Sequence, residues 1–262
     1  MAGDETKPNV DNAKHRAIAE PNTVLLGLVG STVHGVTVDD ADDRDEMGIC
    51  IEPPEHVIGL HGFDQWVYRT QPEGARSGPG DVDRTVYSLR KWCRLALAGN
   101  PTVMLLLHVP DAQCSVIEEP GRVLRANKQW FASRRAGHAY LGYMQRQRER
   151  MTGQRGQMRV NRPELIERYG YDTKYAGHVL RLGYQGIEFL QSGRLTLPMR
   201  EPERTRVLDV RNGRVSFEEV LAEADDLQRG LELLLEESPL PAGADDAAVN
   251  AFLVDAYRSW WR

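Results

Sequence analysis

The sequence predicts an α+β protein, with a small mixed sheet in its N-terminal part and a helical region after it. Two observations carry this reading. Apolar or alternating runs at Leu25–Val29, Met47–Ile51, Phe63–Arg69 and Asp81–Tyr87 read as strands and crowd into the first part of the chain. From about Glu118 onward, apolar residues recur at helical spacing over segments too long for strands.

In order, Met1 to about Asn9 is polar and expected to fray. Asp11 to Glu20 has helical character and stops at Pro21. The apolar run at Leu25–Val29 reads as a buried strand, followed by a tight turn at Gly30-Ser31 whose backbone N–H groups can face an anion. A loop dense in carboxylates (Asp39, Asp40, Asp42) leads through Asp43-Arg44-Asp45 into the second strand, which Pro53-Pro54 ends. Phe63 to Arg69 alternates like a further strand, and the Gly- and Pro-rich Gln71 to Gly80 reads as a loop. Val82, Thr85 and Val86 favour a strand that runs into a helix, Ser88 to Ala98, capped by Ser88 with Leu89, Trp92, Cys93, Ala96 and Leu97 on one side. Gly99-Asn100-Pro101 ends it, and Thr102 caps a short apolar helix to about His108.

The second half reads as helices at Glu118–Asn127 and Ser133 to about Met151, the latter ending in the basic run Arg146–Arg150. A loop with Gly153 and Gly156 precedes Pro163–Tyr169. In the helix from about Tyr171 to Gln191, Lys174, His178, Arg181 and Gln185 fall within roughly 60° of each other. Ala176, Leu180, Gly183, Ile187 and Leu190 form the opposite, packing side, and Gly193 follows as a helix stop. Val207 to Val210 reads as a short strand before Asn212-Gly213. Ser216-Phe217-Glu218-Glu219 is a capping box opening a helix to Glu237. Pro239 to Gly243 is a linker, and Ala247 to Trp260 a terminal helix docked by Phe252, Tyr257 and a tryptophan.

At 262 residues the chain is long enough to bury a substantial core. Its 41% hydrophobic and 27% charged residues suit a soluble globular protein. A net charge of −5 argues against a generally basic nucleic-acid sleeve and leaves room for local basic patches. Cys50, Cys93 and Cys114 show neither paired nor metal-ligand spacing and read as reduced thiols in a cytosolic setting. No apolar run approaches a membrane span and the N-terminus lacks a signal-peptide pattern, so the expectation is a cytoplasmic protein with no membrane partner.

Asp43 and Asp45 are spaced i, i+2 at a strand start, so both point to one face. Two like-directed carboxylates cannot both stay ionised side by side without a cation. An oxygen-only environment suits a hard divalent ion such as Mg²⁺, which usually arrives with substrate phosphates. A phosphate-cradling turn beside such a pair is a device for phosphoryl or nucleotidyl transfer.

Apolar strand, Gly-Ser, a gap of eleven residues (32 through 42), then Asp-x-Asp on the next strand: this order resembles the signature of the polymerase-β-like nucleotidyltransferase superfamily. The GSTVHG run at Gly30–Gly35 and the DRDEMGICI run at Asp43–Ile51 are similar, more narrowly, to predicted bacterial and phage nucleotidyltransferases of the RNA-repair-pathway group. His34 stands where that group often has an aromatic, and Arg44 and Glu46 where it has apolar residues. A second block of similarity runs from Asp83 through YSLRKW to Thr102, and a third lies on the Lys174–Gln191 helix. The resemblance therefore covers most of Leu25 to Pro198.

It implies a third carboxylate at Asp83, with Asp81 as the rival two residues away. That carboxylate would complete a Mg²⁺ (or Mn²⁺) site with Asp43 and Asp45 and serve as general base. It further implies that Gly30 and Ser31, with Lys174, His178 and Arg181, hold the triphosphate. The expected organisation is a catalytic domain at 10–112 and a mainly helical domain at 113–262 closing the cleft. The expected activity moves a nucleoside monophosphate from an NTP to an acceptor hydroxyl, on an RNA end, a protein or a small molecule. Two alternatives keep the same fold: a non-catalytic nucleotide-sensing or antitoxin-like module, and an RNA-binding accessory protein in RNA repair using Arg146–Arg150.

Overall fold

The computed structural model of the chain describes residues 11–38, 43–72, 75, 77–78, 80–152 and 162–262. The fraying expected at Met1–Asn9, the loop carboxylates Asp39, Asp40 and Asp42, and the Gly153–Gly156 loop lie outside those residues.

Helix α1 (Ala13–Ala19) starts at Asn12, whose side chain accepts hydrogen bonds from Lys14 N and His15 N, and stops at the turn holding Pro21. Strand β1 (Thr23–Leu28) follows, buried through its middle. Gly30 does not make a simple turn but opens a one-turn helix, α2 (Gly30–His34), with φ +73° at Gly30 and φ +70° at Gly35 closing it. Then come β2 (Arg44–Cys50), β3 (Gln65–Arg69) and β4 (Val82–Ser88). Ser88 caps α3 (Leu89–Leu97), accepting from Lys91 N. The next helix, α4 (Pro101–Met104), is capped by Asn100 rather than Thr102, because Pro101 fits the first helical position and leaves the Asn100 side chain to accept from Thr102 N and Val103 N.

A four-residue strand, β5 (Cys114–Ile117), is one element the sequence reading lacks. The rest is helical: α5 (Glu119–Ala126), α6 (Arg134–Thr152), α7 (Pro163–Tyr169), α8 (Thr173–Ser192), α9 (Glu203–Arg211), α10 (Phe217–Glu237) and α11 (Asp246–Trp260). The predicted strand at Val207–Val210 is corrected to part of α9. Val207 and Val210, spaced i, i+3, are both buried, so β-branched residues here serve a helical packing face. The capping box at Ser216 forms as expected.

The sheet has the order β3-β4-β2-β1-β5 and is mixed, with β2 and β4 parallel and the other neighbours antiparallel. The parallel register sets Asp45 beside Asp83, and on the opposite face Glu46 beside Arg84. On that opposite face Glu46 is buried between Arg44 (2.8 Å) and Arg84 (2.6 Å). An ion-paired carboxylate thus stands where the resembled group is apolar. Ala19, Cys50, Phe63, Trp66 and Val86 complete a small core on that side.

The main core joins the other sheet face to the helices. Helix α8 is central, packed by α6, α9 and α10. Its glycines let neighbours close in: a Cβ at Gly186 would lie 2.8 Å from Leu231 and 3.0 Å from Tyr140. The terminal helix docks on the end of β2, where Tyr257 Oη donates to Glu52 Oε2 (2.9 Å), Trp261 Nε1 donates to the Glu52 carbonyl (3.0 Å), and Phe252 meets Trp130. No helix among the described residues is long and apolar enough to cross a membrane.

Candidate active site

Asp43 lies just before β2 and Asp45 within it, so their side chains share a face, and the parallel pairing brings Asp83 of β4 to the same face. One oxygen from each of Asp43, Asp45 and Asp83 lies within 4.8 Å of the others, and all three residues are half-buried. The donor set is oxygen only, which fits a hard divalent cation, and such a cation would offset the mutual repulsion of the carboxylates.

Asp83 is held by more than this. Arg69 Nε donates to its Oδ1 at 2.7 Å, Gln71 Nε2 donates to the same oxygen at 2.9 Å, and Ser77 Oγ donates to Oδ2. Burial pushes the carboxyl up, but those hydrogen bonds outweigh it and hold Asp83 below the usual carboxylate range. Asp81 is employed elsewhere: it accepts from Thr70 Oγ1 (2.8 Å) and Gly78 N (2.9 Å) in the turn before β4. The geometry groups Asp83, not Asp81, with the pair on β2.

Gly30 sits directly against Asp45. A Cβ there would overlap Asp45 Oδ2, and Val29 N donates to the Asp45 carbonyl at 2.9 Å, so the strand end and the α2 turn are fastened to the carboxylate strand. Ser31 lines the same cleft as Asp43 and Asp45.

The facing wall is α8. Lys174, His178 and Arg181 line a cavity of about 200 Å³ together with Gly30, Ser31, Asp43, Asp45 and Arg211. An adjoining cavity of about 250 Å³ shares Gly30, His34, Asp45, His178 and Arg181 and adds Pro101, Thr102, Leu105, Tyr140 and Gln185. The expected opposition of a cationic row to a packing stripe is only half of what α8 does. The row is enclosed too, turned onto the sheet domain, and Gln185 is as buried as the stripe.

His34 Nε2 lies 2.8 Å from Arg181 Nη1, His34 Nδ1 lies 3.0 Å from Gln185 Nε2, and Arg181 Nη1 also donates to Gln185 Oε1 at 2.9 Å. Burial, then the charge of Arg181 and the neighbouring His178, hold His34 well below the ordinary histidine range. His178 falls to about 3 through burial, Arg181 and Arg211, and burial lowers Arg181 to about 10. Both histidines are therefore neutral in this cleft at pH 7. Arg211 reaches back to the sheet domain by donating to the Val36 carbonyl.

Sequence reading missed Arg69 and Arg211 and left His34 aside. Arg69 pairs with Asp83 only through the antiparallel register of β3 and β4. Arg211 lies just past the segment read as a strand, at the end of α9. Position beside the Gly-Ser turn was the one signal for His34. The basic run of α6 is partly spent within the fold: Arg148 pairs with Asp225, and Arg146 lies over the Tyr143 ring at 4.7 Å.

A small mixed sheet presenting carboxylates to a cleft, with a helical region closing it, is the fold of the polymerase-β-like nucleotidyltransferases. The chain belongs to the RNA repair pathway DNA polymerase beta family, whose model matches residues 7–255. A crystal structure of a nucleotidyltransferase-like protein from Exiguobacterium sibiricum 255-15 aligns with a TM-score of 0.29 and 14% identity over 94% of this chain and 77% of that one, too distant to carry an argument. No curated protein matches the chain.

Proposed function

We propose that this chain is a divalent-metal-dependent nucleotidyltransferase, moving a nucleoside monophosphate from an NTP to an acceptor hydroxyl and releasing pyrophosphate. The observation that carries the reading is the meeting of Asp43, Asp45 and Asp83 beside Gly30, opposite the cations of α8. The residues at 10–112 supply the carboxylates and those at 113–262 supply the facing wall. Mg²⁺, or Mn²⁺ in its place, would be held by the three aspartates and would supply charge that offsets the phosphate oxygens.

Gly30 N–H and the Ser31 hydroxyl bind the β- and γ-phosphates. Lys174 and Arg181 offset the charge gathering on the leaving pyrophosphate as the acceptor oxygen bonds to the α-phosphorus and the α–β bridge breaks. His178, neutral here, offers an N–H donor rather than a charge. Asp83, kept ionised by its hydrogen bonds, takes the acceptor proton once the Arg69 contact gives way. The family's place in an RNA repair pathway supports an RNA end as acceptor ahead of a protein or small molecule.

The test is incubation with each α-labelled NTP, Mg²⁺ and RNA, protein or small-molecule acceptors. The expected result is label on one acceptor class with pyrophosphate released, lost in Asp43→Ala. Equal background from wild type and variant removes the enzyme reading.

A further inference from the structure

A pocket remote from the carboxylates carries charge that the transferase reading does not use. It measures about 280 Å³ and lies where α5 ends, α6 approaches and α8 stops, lined by Lys128, Gln129, Ser192, Gly193, Arg194 and Leu240 among others. Its cations lack acids. The groups acting on Lys128 are Arg194 and Arg125, both positive, and among the described residues neither Lys128 nor Arg194 has a carboxylate within ion-pair distance. Arg125 stands behind them, donating to the Leu106 and Val109 carbonyls and paired with Asp111 at 2.6 Å, so that acid is taken. His108, whose Nδ1 accepts from Leu195 N at 3.3 Å, completes the cluster and is kept neutral by burial and by these three cations.

The bland account is that cations collect at helix C-termini. Here many of the terminal carbonyls are already bonded. Asn127 takes those of Val123 and Leu124, Gly193 N takes that of Phe189, and Ser192 Oγ takes that of Glu188. In a chain of net charge −5, two close cations beside a cavity and without acids make a favourable place for an anion from outside.

The pocket's place in the fold says which anion. From Arg181 in the cleft to Gly193 at the pocket is twelve residues, nearly all of them in α8. That is about 18 Å along the axis, or roughly five phosphates at the spacing of a stacked strand. The opposite bank runs the same way: Pro101, Thr102 and Leu105 line the cleft, and His108 reaches Leu195 next to the pocket.

We propose that Lys128 and Arg194 bind a phosphate group, and that this group belongs to the backbone of a single-stranded nucleic-acid acceptor whose end lies in the cleft. The acceptor assignment rests on the transferase reading, whereas the phosphate site does not.

The test is fluorescence anisotropy of a labelled 12-nucleotide single-stranded RNA with the full chain, in chelator and without NTP, across 50–200 mM salt, alongside calorimetric titration of inorganic phosphate. Lys128→Ala with Arg194→Ala is expected to weaken RNA binding about tenfold at the lowest salt, the worth of one charge-assisted hydrogen bond. The same variant should reduce the salt slope by about 0.7, the value for one lost phosphate contact. Arg194→Gln alone, a change at an exposed side chain, should reduce the slope in the same direction by less than that, because Lys128 still holds the phosphate. If the variants lose inorganic phosphate but keep RNA affinity and slope, the pocket serves a free phosphate and the nucleic-acid assignment is overturned. If neither ligand distinguishes wild type from variant, the phosphate site itself is overturned. Because no turnover is measured, failure here and failure of the transferase assay are read separately.

Discussion

Asp83 is contested between Arg69 and any cation the other two aspartates hold. The ion pair is partly exposed, so its worth is modest, and removing Arg69 should favour the metal. Arg69→Ala is expected to raise Mn²⁺ affinity by up to about fivefold, the equivalent of a surface ion pair, measured by calorimetry. Unchanged or weaker binding would mean that Arg69 positions Asp83 instead of competing for it. Sequence periodicity made Asp43 and Asp45 legible as a pair, because i, i+2 on a strand needs no partner. It placed Asp81 and Asp83 on one face and could go no further, since the choice between them is made by the β2–β4 register and by the turn that engages Asp81.

The histidines give the protein an acid limit. His34, His108 and His178 all have folded-state pKa values below the ordinary 6.5, with burial as the leading cause. The unfolded chain takes up those protons first as pH falls. The stability they contribute is therefore complete above about pH 6.5 and lost as pH drops from there toward 3. Glu52 works in the opposite sense, raised above 4.5 chiefly by burial, so its contribution is lost as pH rises past that value. Three groups outweigh one: urea unfolding should show at least about 2 kcal/mol less stability at pH 5 than at pH 7.5. A flat profile would contradict neutral rings at these three positions.

Among elements, the β2–β4 pair shows how one register serves two purposes, joining acids on the cleft face and an acid with its base on the other. Arg84→Met should cost about 2 kcal/mol in chemical denaturation, less than a fully buried broken pair because Arg44 remains. Adding Glu46→Leu should recover most of that loss; a further loss would mean that the ion pair itself stabilises the strands. In α8, Gly186→Leu should destabilise by about 1–3 kcal/mol as α6 and α10 are forced apart. A wheel could find the stripe and the row on α8, but periodicity alone could not say what the row faces, because a helix seen alone has no neighbours. Strand β5 escaped because four residues after a tight turn carry too little pattern, and α9 was misread because Val207 and Val210 are β-branched beside an Asn-Gly signal.

At the scale of the whole molecule, the mixed sheet and the helical region were legible because their periods differ and occupy different parts of the chain. The cleft between them was legible only through resemblance, since the α8 wall comes from residues more than ninety positions beyond the carboxylates. Composition pointed away from a basic nucleic-acid surface, and the net charge hides the local imbalance at Lys128 and Arg194 that only folding assembles.

The central claim is that three aspartates share a divalent ion at a nucleotide site. Electron paramagnetic resonance of Mn²⁺ titrated into the protein with NTP tests it most directly. Wild type is expected to show bound Mn²⁺ that Mg²⁺ displaces, with binding lost in Asp45→Asn and weakened in Asp83→Asn. Equal Mn²⁺ binding by wild type and Asp45→Asn would contradict the account.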